Sequence, residues 1–182
     1  MSEPSEGRDA AAGLEEPEAR GRLEEVLHAR RDALKRLRDN GIEPFALRYD
    51  KDADAAELHA RFGHLSPGEG TGEQASVAGR VMLLRRQGKL SFISLRDRSG
   101  DIQLFLKEDV LGPAYGLVDL LDLGDVLGAR GEVVKTKRGE LSIQASELVL
   151  LTKALRPLPE KWHGLRDPEL RFRQRVDLPA GS

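Results

Sequence analysis

Two hydrophobic periods divide this chain. Over residues 20–40, Leu23, Val26, Leu27, Leu34 and Leu37 recur at helical spacing and predict one apolar helix face. Asn40-Gly41 supplies a stop, with Pro44 just beyond it. The opposite face of that helix carries Arg31, Lys35 and Arg38. From residue 76 the period falls to two. A first strand is predicted over 76–85, with Gly79 as a bulge or bend. A hairpin follows around Ser99-Gly100. Side chains alternate between the faces of a strand, so Ile93, Leu95, Ile102, Leu104 and Leu106 share an inner face. Phe92, Ser94, Asp101, Gln103 and Phe105 take the outer one.

Beyond the hairpin, Ala114, Leu117, Val118 and Leu121 form a helical stripe behind Pro113, which predicts a short helix over 113–121. Two more strands are predicted over 125–135 and 140–151, joined at Arg138-Gly139. In the last of them Leu141, Ile143 and Ala145 alternate with Glu140, Ser142 and Gln144. Residues 54–62 can form a short helix, and 66–72 read as a loop on composition. The order is three strands, a helix and two strands, as in a five-stranded OB barrel, whose strand 2–3 face and whose 1–2 and 4–5 loops bind oligonucleotides. The expected class is mainly β with helical extensions (α+β): an OB-fold barrel preceded by an N-terminal amphipathic helix. The expected organisation is a disordered acidic tail (1–19), the helix with a connecting segment (20–75), the barrel (76–152) and a linker (153–182).

The outer face of the hairpin raises the functional question. Two phenylalanines beside an amide suit a single-stranded nucleic acid, since a ring stacks on a base while an amide reads its edge. A second layer of protein, such as the N-terminal helix or a partner chain, would account for the same rings. The loops favour the first reading. Arg85-Arg-Gln-Gly-Lys89 joins strands one and two, and Lys135-Thr-Lys-Arg-Gly139 joins strands four and five. Both place positive charge where an OB barrel meets its ligand.

Composition narrows the remaining classes. Charged residues make up 33% of the 182, with a net charge of −2, so any nucleic-acid binding is local rather than spread over the whole surface. There is no cysteine, which excludes disulfides and cysteine-ligated zinc. The acidic N-terminus has no apolar segment of a signal peptide. No apolar run approaches the roughly 20 residues that cross a bilayer. The expectation is a soluble cytoplasmic protein with no membrane partner. His28, His59, His64 and His163 are scattered without ligand spacing, so no metal site is expected.

Several stretches resemble the N-terminal region of class II lysyl-tRNA synthetases. They are Arg30-Arg-Asp-Ala-Leu-Lys-Arg-Leu-Arg-Asp-Asn-Gly-Ile-Glu-Pro-Phe45, Val77-Ala-Gly-Arg-Val-Met82 and Gly88-Lys-Leu-Ser-Phe-Ile-Ser-Leu-Arg-Asp97. Leu123-Gly-Asp125, Lys135-Thr-Lys-Arg-Gly-Glu-Leu-Ser142 and Leu151-Thr-Lys-Ala-Leu-Arg-Pro-Leu-Pro-Glu-Lys-Trp-His-Gly-Leu-Arg-Asp167 complete the match, the last two being the most specific. The resemblance implies a barrel that binds the anticodon of tRNA(Lys). Phe92 would stack on the central uridine, Gln103 and Arg85 would bond its edge, and Glu140 would help read an anticodon base. Arg31 and Lys35 on the helix, with Lys135 and Lys137 in the 4–5 loop, would contact phosphates. Alternation alone supports Phe92 and Gln103.

The resemblance also implies a departure. In that family Arg171-Phe-Arg-Gln-Arg175 leads through a tyrosine into the catalytic domain; here Val176-Asp-Leu178 follows at once and Pro179-Ala-Gly-Ser182 comes last. The expectation is a truncated module, monomeric, with no cofactor of its own; ATP and magnesium would belong to the absent catalytic domain. The alternatives are a fragment of a functional lysine–tRNA ligase and a protein-interaction OB module. A purified polypeptide of this sequence is expected to show no lysine-dependent ATP–pyrophosphate exchange and no charging of tRNA. Exchange that persists in an independently made preparation would overturn that expectation.

Overall fold

The computed structural model describes residues 15–46 and 48–158. The expectations for most of the acidic tail, and for the linker from residue 159 with Trp162, His163 and Val176-Asp-Leu178, lie outside the described residues.

Five strands close into a barrel: β1 (Gly70–Gln87), β2 (Leu90–Arg96), β3 (Asp101–Lys107), β4 (Val126–Lys135) and β5 (Leu141–Thr152). Their order around the barrel is β1-β2-β3-β5-β4, with β4 returning to pair with β1. Every pairing is antiparallel except β3 with β5. Closure leaves no free sheet edge. Helix α1 (Glu15–Asp39) precedes the barrel, α2 (Ala55–Phe62) lies before β1, and α3 (Glu108–Leu111) with a 3-10 segment (Gly112–Leu120) links β3 to β4.

The inner face follows the two-residue period. Val77, Val81, Ile93, Leu95, Ile102, Leu104, Leu106, Leu127, Val133, Ile143 and Leu150 are all buried in one cluster. The predicted short helix differs in kind. It begins earlier, as the single turn α3, and continues as a 3-10 segment in which Leu117, Val118 and Leu120 are buried while Ala114 is exposed. Its end is capped from outside: the Arg86 guanidinium donates to the carbonyls of Val118 (2.7 Å) and Leu121 (3.1 Å).

Strand β1 is longer than its predicted span and takes in part of the predicted loop, because it pairs on both sides, with β2 and with β4. The irregularity in its pairing with β2 falls between Val81 and Leu83, not at Gly79. Gly79 has another reason to be glycine: a Cβ there would sit 2.8 Å from the Arg96 carbonyl oxygen, so a side chain would push β1 and β2 apart. Gly139, at φ +86°, makes the β4–β5 turn as expected.

Helix α1 starts at Glu15 and docks only through its C-terminal half. Leu37 is fully buried, whereas Leu23 and Val26 are exposed. Its anchor is polar. Arg30, 6% exposed, donates from Nη1 to the carbonyls of Ala154 and Arg156 (both 2.9 Å) and from Nη2 to that of Leu123 (3.0 Å). Beside this anchor lies a buried ion pair. The Lys153 ammonium, fully enclosed, donates to Asp125 (2.8 Å), Asp122 (2.6 Å) and the Leu120 carbonyl (3.0 Å). Asp125, also fully buried, accepts from the Ala154 and Asp122 amides at 2.8 Å each. Every polar direction of the pair is thus answered within the fold.

The β2–β3 turn does two tasks. Asp97 Oδ1 accepts from the Ser99 amide and hydroxyl (both 2.7 Å) and from the Gly100 amide (3.0 Å), which fixes the hairpin. Its Oδ2 accepts the Ala55 amide at 2.9 Å, and the Ser99 hydroxyl oxygen accepts the Ala56 amide at 3.0 Å. The first free amides of α2 are therefore capped by the hairpin, since Asp54 at the N-cap makes no side-chain cap. Burial opposes the charge on Asp97, but the hydrogen bonds from Ala55, Ser99 and Gly100 outweigh it and hold its carboxyl below the usual carboxylate value.

Two predictions rest on these contacts. Asp125→Ala takes from the enclosed Lys153 ammonium its fully buried carboxylate, leaving it the partly exposed Asp122, and strips the Ala154 and Asp122 amides of their acceptor; it is expected to cost about 3–5 kcal/mol in urea unfolding. Asp125→Ala with Lys153→Met also removes the buried charge and should recover part of that loss; a single-mutant cost under about 1 kcal/mol would contradict the assignment. The lowered Asp97 carboxyl contributes stability that is present above the unfolded value of about 3.9 and is lost as pH falls through its folded value. Asp97→Asn should therefore flatten the fall of unfolding free energy below about pH 4. Identical acid limbs for the two proteins would rule out this contribution.

Candidate nucleic-acid interface

The strand register sets the outer face of the barrel in rows. One row runs Arg85, Phe92, Phe105 and Gln144 across β1, β2, β3 and β5. The next, two residues along each strand, runs Leu83, Ser94, Gln103 and Ser142. The rows are about 6.8 Å apart, twice the rise of a strand residue.

The aromatic pair is ordered by direct cross-strand opposition. The Phe92 and Phe105 rings lie parallel, 3° apart in plane, with centroids 5.0 Å apart. The Lys107 ammonium stands 5.0 Å from the Phe105 centroid. Both rings are half-buried, and no described element covers them as the inner face is covered. The N-terminal helix is not the second layer, because its anchor lies on Leu123, Ala154 and Arg156, at the ends of β4 and β5 away from the 136–140 loop.

Gln103 is held as firmly as the rings. Its Nε2 donates to the Ser142 hydroxyl at 2.8 Å, and that hydroxyl donates to the Glu140 carbonyl at 3.1 Å. Ser142 is fully buried, so this chain is shielded from water. It leaves the Gln103 carbonyl oxygen and one amide hydrogen for a ligand. Glu140 itself is exposed, in a turn closed by bonds between Thr136 and the Glu140 backbone (2.9 and 3.2 Å).

Arg85, Phe92, Gln103 and Glu140 thus lie on one continuous patch. The basic residues divide. Lys135 donates to the Gly63 carbonyl at 2.8 Å, tying the start of the 4–5 loop to the end of α2. Lys137, at the tip of that loop, is exposed. Arg31 and Lys35 are exposed on α1, remote in the topology from the aromatic rows. Alternation had placed Phe105 on this face but not its stack on Phe92, which depends on register. Lys107 and Ser142 went unassigned; both continue the outward period of their strands, Lys107 two residues after Phe105 and Ser142 two before Gln144.

Among the described residues no group of three or more His, Asp or Glu side chains is placed to hold a metal, and no helix is long and apolar enough to cross a membrane.

Comparison with known proteins agrees with this geometry. Residues 75–151 match the family described as OB-fold nucleic acid binding domain. The chain is 47% identical over 158 residues to the lysine–tRNA ligase of Syntrophomonas wolfei, covering 86% of this chain and 31% of that protein. It is 44% identical over 160 residues to the lysine–tRNA ligase of Enterococcus faecalis, and 43% identical over 160 residues to that of Bacillus subtilis. Each of those two matches covers 86% of this chain and 32% of the relative. The chain therefore spans about a third of the length of the curated relatives it matches.

Proposed function

We propose that this chain, an OB-fold nucleic-acid-binding domain homologous to the N-terminal, anticodon-binding region of lysine–tRNA ligases, binds the anticodon stem-loop of a lysine tRNA. The observation that carries the reading is the patch formed by Arg85, Phe92 and Gln103: an accessible ring, an amide oriented from beneath, and a guanidinium beside the ring on the neighbouring strand.

Each group has a chemical task. An unstacked anticodon base lies on Phe92. The Gln103 carbonyl oxygen accepts the N3 hydrogen of a uracil while its remaining amide hydrogen donates to a uracil carbonyl. Arg85 adds a cationic donor at the base edge. Glu140, an acceptor in the adjoining turn, selects a base that presents donors. Lys137, and the donors of Lys135 not taken by Gly63, meet phosphates, which position the RNA without reading it. Arg31 and Lys35 give α1 a separate phosphate contact. The module acts as a monomer in the cytosol. Ligation of lysine to tRNA, with its ATP and magnesium, belongs to the two-thirds of the relatives that this chain does not span.

Titration against a lysine anticodon stem-loop tests the reading. Base–aromatic stacking is worth about 1–3 kcal/mol, so Phe92→Ala should weaken binding by about one to two orders of magnitude. Phe92→Leu keeps apolar bulk on the barrel and loses the flat face; it should also bind weakly while unfolding close to wild type. Wild-type affinity in both variants would show that the ring packs the surface and stacks on nothing.

A further inference from the structure

Beyond the Arg85–Phe92–Phe105 row, at the base of the hairpin, the outer face carries one more row: Gln87, Leu90 and Lys107, paired in register across β1, β2 and β3. Leu90 is 37% exposed, on a face where an apolar side chain gains nothing from water. Several other cations of the barrel are engaged. Arg86 caps the 3-10 segment, Arg80 donates to the Gly124 carbonyl, Arg96 pairs with Asp101, and Lys135 holds Gly63. Lys107 has no carboxylate partner within 4.0 Å among the described residues, although Glu108 and Asp109 follow it in α3. Its ammonium rests over the Phe105 ring, at the edge of the stack that ends in Phe92. Lys89 adds a second exposed charge in the turn beside it.

We propose that Gln87, Leu90 and Lys107 form a second nucleotide subsite, in which Lys107 holds the phosphate and Leu90 the sugar of the nucleotide adjoining the base stacked on Phe92. The inference rests on the RNA-binding reading above and extends it by one residue of RNA. Adjacent rows are about 6.8 Å apart, about twice the 3.4 Å rise per nucleotide of a stacked duplex strand. Only a strand with splayed bases can take that step, so the two rows together select a loop over a helix. The Lys107 ammonium is held by the Phe105 ring before the RNA arrives, which limits the side-chain freedom lost on binding. The contact reads backbone, so it carries affinity without base discrimination.

The test is a titration of the full chain at several salt concentrations. The probes are the lysine anticodon stem-loop and a set of the same RNAs with one loop phosphate replaced by a neutral methylphosphonate. Lys107→Ala should weaken binding about 3–10-fold for matched and mismatched anticodons alike. It should lower the log–log salt slope by about 0.7, the share of one single-strand phosphate. Lys107→Arg should bind as wild type. One methylphosphonate position should abolish the difference between wild type and Lys107→Ala. An unchanged affinity and slope in Lys107→Ala would overturn the subsite, as would a loss of the same size on every methylphosphonate RNA. If the Phe92 variants weaken binding and Lys107→Ala does not, the subsite alone falls. If the Phe92 variants bind as wild type, the anticodon reading falls and takes the subsite with it.

Discussion

Closure of the sheet is the constraint from which the rest follows. Strand β1 must reach β2 on one side and β4 on the other, and its shift in register between Val81 and Leu83 accompanies that change of partner. Once the sheet is a closed barrel, every second side chain must fill a small interior. Ile93, Leu95, Ile102, Leu104 and Leu106 fill it, each 3% exposed or less. The intervening residues are then forced outward in fixed rows. Phe92 and Phe105 face each other because Ile93 and Leu104 do so one residue away, on the inner face. The accessible aromatic pair is a geometric consequence of a core that leaves those rings no room inside.

The charges sort themselves around the same barrel. Where β4 begins and β5 ends, Lys153 and Arg30 are withdrawn from water and donate to carboxylates and carbonyls, and Asp125 accepts from Lys153 and from two backbone amides. Such groups add little net stability over apolar equivalents, but an alternative packing would strand them without partners, so they fix how α1 and the chain after β5 sit on the barrel. On the outer face and in the loops, Arg85, Lys89, Lys107 and Lys137 remain without carboxylate partners among the described residues. A chain of net charge −2 can therefore present a positive face. The sum is irrelevant to the ligand; within a Debye length of about 8 Å at physiological salt, only the local set acts.

What the sequence disclosed depended on the length scale of the signal. The hairpin was legible to the residue, because alternation and the Ser99-Gly100 turn are local properties. The expected fold class, with its three strands, helix and two strands, follows from the same periodicity. The 3-10 geometry of Gly112–Leu120 was not legible, nor was its cap, which Arg86 supplies from a strand some 30 residues away in sequence. Nor was the one-sided docking of α1: Leu23 and Val26 share a stripe with Leu37, and only tertiary contact decides which end of a stripe is used. Lys153 stood in a recognisable motif, yet nothing in the residues near it reveals that it is buried. That becomes visible only when Asp125, 28 positions earlier, is brought against it. At the interface, side-chain direction could be read, whereas the Phe92–Phe105 stack and the Gln103–Ser142 bond required the register between strands.

That register bears on specificity more than on affinity. A ring that must be ordered by its ligand gives back part of the stacking energy as lost rotamer freedom. Here Phe105 limits the rotation of Phe92, and Ser142, buried and committed to the Glu140 carbonyl, limits that of Gln103. With the amide hydrogen on the Ser142 side taken, Gln103 presents an acceptor and one donor in fixed order. A cytosine, which offers an acceptor at N3 where uracil has a hydrogen, meets an oxygen facing a lone pair and leaves both unsatisfied. On the proposed reading, discrimination at this position would come from a hydrogen bond made beneath the surface, between two strands that run parallel, before any RNA is bound.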